Sequence, residues 1–145
     1  MHQLTLRNID DENAGQYRQQ NVLISCTTTM PPDYTLLNDK MAHLVDWYNS
    51  AAHTFHPIER AAKVLADFVG IHPFIDGNGR TSRLLMNLEL MKAGYPPCVI
   101  TVENRLAYYE ALDQWMAYEK TEAFIQLVTD AVLDGFKPYQ VVLGI

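Results

Sequence analysis

The stretch His72-Pro73-Phe74-Ile75-Asp76-Gly77-Asn78-Gly79-Arg80-Thr81-Ser82-Arg83 decides the reading of this chain. It lies between two apolar segments of helical period. Upstream, Pro57 suits a first helical position, and Ile58, Ala61, Ala62, Leu65, Phe68 and Val69 recur at buried-helix spacing. Downstream, residues 80–93 are apolar on nearly every side (Leu84, Leu85, Met86, Leu88, Leu90, Met91), which predicts a helix in the middle of a bundle. Gly94-Tyr95-Pro96-Pro97 ends it.

Working outward, Leu36, Leu37, Met41, Leu44, Val45 and Tyr48 form one stripe over 35–49, and two more helices are expected at about 103–118 and 121–134. Residues 21–29 are β-branched and end at Pro31-Pro32-Asp33, predicting a short strand or hairpin. Leu4, Leu6 and Ile9 precede an acidic cluster with no cap before them, as in the tail of a helix that starts earlier; Gly15 breaks the pattern. The expected fold class is all-α, a helical bundle with one short β-hairpin flap.

The 145 residues suit one domain able to bury a core. Apolar residues at 48% and charged residues at 19% are ordinary for a soluble protein, and neither a membrane span nor a secretory signal is visible. Cys26 and Cys98 form no disulfide or metal-ligand pattern, so two reduced thiols in the cytoplasm are expected. A net charge of −6 argues against non-specific nucleic-acid binding and makes any phosphate site local.

The central stretch supplies such a site. Gly77-Asn78-Gly79 opens a helix, where backbone N–H groups and the dipole favour an anion. Arg80 and Arg83, three apart, place two guanidinium forks on the first turn. Asp76 offers a hard carboxylate for Mg²⁺, which takes one or two carboxylates together with substrate phosphates. His72 has a side chain fit to take a proton from an attacking hydroxyl. Taken singly, each has a plainer reading: a capping histidine, a turn, a solvated arginine face. Their joint occurrence favours phosphoryl chemistry, and the absence of Gly-Lys-Ser/Thr excludes a Walker loop.

The stretch resembles the Fic-domain signature His-x-Phe-x-Asp/Glu-Gly-Asn-Gly-Arg-x-x-Arg at every position. Further resemblance lies in Gly15-x-Tyr17-Arg18, in Val22–Ile24 with Pro31-Pro32, in His56-Pro57-Ile58-Glu59 and in Ala93–Pro97. It implies a protein adenylyltransferase moving AMP from ATP to a Ser, Thr or Tyr hydroxyl. His72 would be the base and Asp76 the Mg²⁺ ligand. Gly77, Asn78 and Gly79 would form the anion hole, Arg80 would bind phosphate, and Arg83 would bind the γ-phosphate. Phe74 would fix the loop, Tyr109 and Leu112 would line the adenine pocket, and Ile24, Ser25, Cys26 and Thr27 would position the target. Met116 departs from a polar Asn in relatives, which leaves purine selection open.

Removal of AMP from a modified protein and transfer of another nucleotide remain alternatives on the same fold, and a non-catalytic nucleotide-binding or toxin–antitoxin module is a third. Many relatives carry an inhibitory helix, Ser/Thr-x-x-x-Glu-Gly/Asn. No such pattern occurs here, so a chain truncated upstream of Leu4, or one inhibited by a separate protein, is expected. Arg83 would then be open and self-modification would follow. Protein substrates are expected as partners, nucleic acid and membrane are not, and the resemblance leaves a homodimer open. His53 and His56 read as solvated, Trp47, Tyr48 and Trp115 as core, and Asp130 and Asp134 as a solvated face.

Overall fold

A computed structural model describes residues 1–25, 27–101 and 103–145. Six α-helices follow one another among the described residues: α1 His2–Thr5, α2 Leu37–Ser50, α3 Pro57–Ile71, α4 Asn78–Lys92, α5 Arg105–Tyr118 and α6 Glu122–Leu143. Short 3₁₀ turns, Tyr34–Leu36 and Ala52–Thr54, flank α2. No helix is long and apolar enough to cross a membrane among the described residues.

α3 is the hub. Pro57 opens it, and His56 caps it: the His56 ring accepts the Ile58 N–H at 3.3 Å while Glu59 accepts the His56 N–H at 3.3 Å. His56 is thus a cap, although its ring is exposed. Ala61, Ala62, Leu65 and Ala66 are fully buried against Met86 and Leu90 of α4 and Phe124 and Val128 of α6. Small side chains on α3 let its neighbours approach closely. A Cβ on Gly70 would meet the Met116 sulfur of α5 at 3.4 Å.

Three expectations are corrected. No strand forms among the described residues: 21–25 and 27–32 run as irregular chain, and the hairpin flap is replaced by a segment that side chains hold in place. Cys26, one of the expected flap residues, lies outside the described residues. α4 is not enclosed on all sides, for Leu84, Leu88 and Met91 are 46%, 42% and 57% exposed. α6 runs past residue 134 to Leu143, with Gly135 and Pro138 inside it. Gly135 packs on the Pro97 carbonyl, Phe136 packs on Tyr95, and the helix ends only at Gly144 in the left-handed region. The N-terminal apolar pattern forms the turn His2–Thr5, with Leu6 fully buried beyond it.

Candidate active site

The α3–α4 connection carries the site. His72 ends α3 with φ 50° and ψ 58°, a left-handed conformation that costs a non-glycine residue about 1 kcal/mol or more and persists only where the surroundings enforce it. Several partners do so. The His72 N–H donates to the Phe68 carbonyl at 3.0 Å, and the His72 carbonyl accepts Nε of Arg18 at 2.8 Å. Nδ1 of His72 donates to the Val69 carbonyl at 3.2 Å. A carbonyl only accepts, so Nδ1 carries the proton and Nε2 keeps its lone pair. Burial is the main influence on this ring and depresses its pKa, joined by Arg18 and opposed by the Val69 bond and Asp76.

Gly77 turns the chain into α4 at φ 78°, a conformation suited to glycine. The first helical bond is that of Thr81 N–H to the Gly77 carbonyl at 2.9 Å, so the N–H groups of Asn78, Gly79 and Arg80 precede the ladder. The Gly77 N–H donates instead to Asp76 Oδ1 at 2.6 Å. The Asn78 side chain faces inward, accepting the Phe74 N–H at 3.0 Å and donating to the Phe74 carbonyl at 2.8 Å. What Asn78 offers a ligand is therefore its backbone N–H. Phe74 is buried and stacks on His2, with ring centroids 3.5 Å apart.

Asp76 projects outward, 64% exposed at its side chain, with Oδ2 on Arg80 at 3.0 Å. No group of three or more His, Cys, Asp or Glu gathers anywhere among the described residues. One accessible carboxylate beside unsatisfied N–H groups fits Mg²⁺ held mostly by phosphate and water. Arg83 lies along the first turn, with Nη1 3.4 Å from where a Gly79 Cβ would stand. Its guanidinium faces Tyr108, whose burial pushes the hydroxyl up to about 12 against the arginine's opposing charge and hydrogen bond. No carboxylate pairs with Arg83 among the described residues.

Arg83 also lines a cleft of about 270 Å³ with Ile100, Thr101, Arg105, Tyr108 and Tyr109. Tyr109 reaches this cleft, with the Arg105 guanidinium 5.6 Å over its ring. Leu112 does not reach it: at 1% exposure it belongs to the core. Met116 lies on Gly70 and lines a larger cavity of about 980 Å³ between α2, α3, α5 and residues 29–32.

Three contributors have no stated role in the sequence reading, although Arg18 falls in the Gly15-x-Tyr17-Arg18 resemblance. His2, 5% exposed, accepts the Gly15 N–H on Nδ1 at 2.9 Å and so donates from Nε2 to the Asp76 carbonyl at 2.8 Å. It also fills the space a Cβ on Gly77 would need, at 3.2 Å. Arg18, 3% exposed, grips the carbonyls of His72, Gln20 and Pro32. Asp113 receives the segment through Thr28 and Thr29. His2 and Asp113 carry no local signal, since each acts on chain distant in sequence.

The model of the Fic/DOC family matches residues 1–90. The chain belongs to the Fic/DOC family. Over 113 residues, 77% of this Fic/DOC chain, it is 43% identical to protein adenylyltransferase fic-1 of Caenorhabditis briggsae and covers 22% of that protein. Against protein adenylyltransferase Fic of Aedes aegypti the identity is 43% over 113 residues, 77% of the chain and 22% of the relative. The chain thus spans under a quarter of the length of these relatives. Among solved structures, Fic-1 (residues 134–508) of Caenorhabditis elegans superposes with a TM-score of 0.86 at 34% identity, covering 99% of this chain and 42% of that one. A Fic family protein of Desulfovibrio desulfuricans G20 gives 0.80 at 30% identity, over 96% and 46%.

Proposed function

We propose that the chain transfers AMP from ATP to a Ser, Thr or Tyr hydroxyl of a protein, itself included. One observation carries the reading: the Nδ1–H bond to Val69 leaves Nε2 of His72 a free base, four residues before a carboxylate and a row of unsatisfied N–H groups. The names of the relatives point to the same reaction.

In this mechanism Nε2 takes the proton of the acceptor hydroxyl, whose oxygen attacks the α-phosphorus. The bond from that phosphorus to the β-phosphate bridging oxygen breaks, and pyrophosphate leaves. The N–H groups of Asn78, Gly79 and Arg80 take up charge developing on the phosphoryl oxygens. Arg83, with no carboxylate on it, receives the outer phosphates. Asp76 would hold Mg²⁺, which when bound supplies charge neutralisation across the α- and β-phosphates. Residues 21–25 form no strand and would offer main chain to an extended acceptor segment.

The test is incubation with Mg²⁺ and α-labelled ATP, CTP, GTP or UTP, with His72→Ala as the blank. Label on protein from ATP is expected, falling by about 10²–10⁴-fold in the variant. Equal labelling by both proteins would sink the assignment of the base. Label from CTP, GTP or UTP in preference to ATP would reassign the nucleotide.

A further inference from the structure

Residues 27–32 cross the face of α5 without strand pairing, so side chains alone decide where they lie. The Pro32 end is tied to Arg18 Nη2 at 2.6 Å. The other end is held, among the described residues, by Asp113. Its Oδ1 accepts the Thr28 N–H at 2.8 Å, the Thr29 N–H at 3.2 Å and the Thr29 hydroxyl at 3.1 Å, while Oδ2 accepts the Thr28 hydroxyl at 2.8 Å. Four donors nearly fill what an ionised carboxylate accepts, and each such bond is stronger for the charge. Burial pushes this carboxyl up, yet the threonine donors outweigh it and hold it below the ordinary carboxylate range.

The place of Asp113 on α5 gives the contact a consequence. It stands four residues after Tyr109 and three before Met116, hence on the same helical face as both. Tyr109 opens on the cleft with Arg83, and Met116 shares the larger cavity with Thr29 and Met30. Thr29, Met30 and Pro32 line only the larger cavity, so whatever moves Thr28 and Thr29 off Asp113 moves part of that cavity's wall beside the face that carries Tyr109. A helix-surface Asp joined only to solvent has no such reach.

We infer that Asp113 is a positioning residue for group transfer: its carboxylate clasps Thr28 and Thr29 and so sets where the target-binding segment lies relative to His72. The catalytic consequence rests on the adenylyl-transfer reading above, whereas the clasp does not. Asn at this position keeps the acceptor for both amides, and its Nδ2 can donate to a turned Thr28 hydroxyl. Ala keeps neither.

The experiment compares the wild-type chain with Asp113→Ala and Asp113→Asn by three readouts. These are amide hydrogen exchange at Thr28 and Thr29, ATP affinity by calorimetry, and label transfer at saturating ATP to a His72→Ala copy of the chain. In Asp113→Ala, exchange at both amides should quicken by about tenfold or more. Transfer should fall by about tenfold or more while ATP affinity stays within about threefold, and Asp113→Asn should restore both. Unchanged exchange in Asp113→Ala overturns the clasp. Faster exchange with undiminished transfer overturns the positioning role. If exchange quickens throughout Asp113→Ala, Thr28→Val with Thr29→Val, which removes only the two hydroxyl donors, must reproduce the local change and the loss of transfer, or the inference fails. A wild-type chain that moves no label refutes the adenylyl-transfer reading and with it the positioning role, while the exchange rates still decide the clasp.

Discussion

Backbone contacts leave the His72 ring one nitrogen able to accept a proton. The Val69 carbonyl takes the Nδ1 proton, so the nitrogen left for chemistry is Nε2. Burial is the largest influence on the ring and lowers its pKa below the ordinary 6.5. The sign of the pH effect follows. The ring is competent when neutral, so the transfer rate should rise with pH through that lowered value and level off above it. Stability follows the same direction, because below 6.5 the unfolded chain takes the proton first and folding weakens. A rate profile measured between about pH 5 and 8 should therefore show an acid limb with its midpoint under 6.5. A midpoint above 6.5 would mean that the Asp76 charge, not burial, governs the ring. His2 shows the complementary use of the same side chain: with both nitrogens occupied by backbone, it shapes the loop and has no lone pair left for chemistry.

At the scale of elements, one buried ion cluster ties three helices. Glu89 of α4, 4% exposed, meets Nε of Arg60 of α3 at 3.0 Å and the Tyr48 hydroxyl of α2 at 2.7 Å. Lys92 joins both Glu89, at 3.0 Å, and Tyr48. Tyr48, expected as plain core, thus directs its hydroxyl to Glu89 and Lys92. Removing one partner of a buried pair leaves the other charge uncompensated. Glu89→Ala should thus destabilise the fold by about 3 kcal/mol, read as a lowered denaturant midpoint. The acid limb of His72 should not move, since none of the influences on that ring comes from this cluster. A midpoint equal to wild type would mean the cluster is solvated enough to be dispensable.

Over the whole molecule, what was legible in the sequence was what is contiguous. The helices α2 to α5 announced themselves by period and punctuation, and the twelve residues from His72 to Arg83 carried base, carboxylate, glycines and arginines in one run. Contacts across long separations were not legible: His2 lies 74 residues from Asp76, and Arg18 lies 54 from His72. The missed flap has the same cause. A β-branched run such as Val22-Leu23-Ile24 reads as strand, yet strand needs a ladder partner, and here Arg18 and Asp113 do the holding.

Arg18 is where these distant parts meet, and it sets the last prediction. Its N–H donates to the Pro73 carbonyl at 2.9 Å. Its guanidinium donates to His72 at 2.8 Å, Gln20 at 2.8 Å and Pro32 at 2.6 Å, all backbone carbonyls. One planar fork thus spans the chain at Gln20, the chain at Pro32 and the α3–α4 loop at His72. Lysine keeps the charge but is a point donor on a flexible stem and cannot serve three carbonyls set around a plane. Arg18→Lys should leave at least one buried carbonyl unsatisfied and cost about 3 kcal/mol, close to the cost expected for Glu89→Ala. The two variants should part in activity. With both held at a temperature where they are folded, Glu89→Ala should transfer label at nearly the wild-type rate. Arg18→Lys should lose about tenfold, because the His72 carbonyl and the flap are no longer tied to one group. Equal transfer by two equally destabilised variants would reduce Arg18 to a brace for the fold, with no part in presenting His72 to its acceptor.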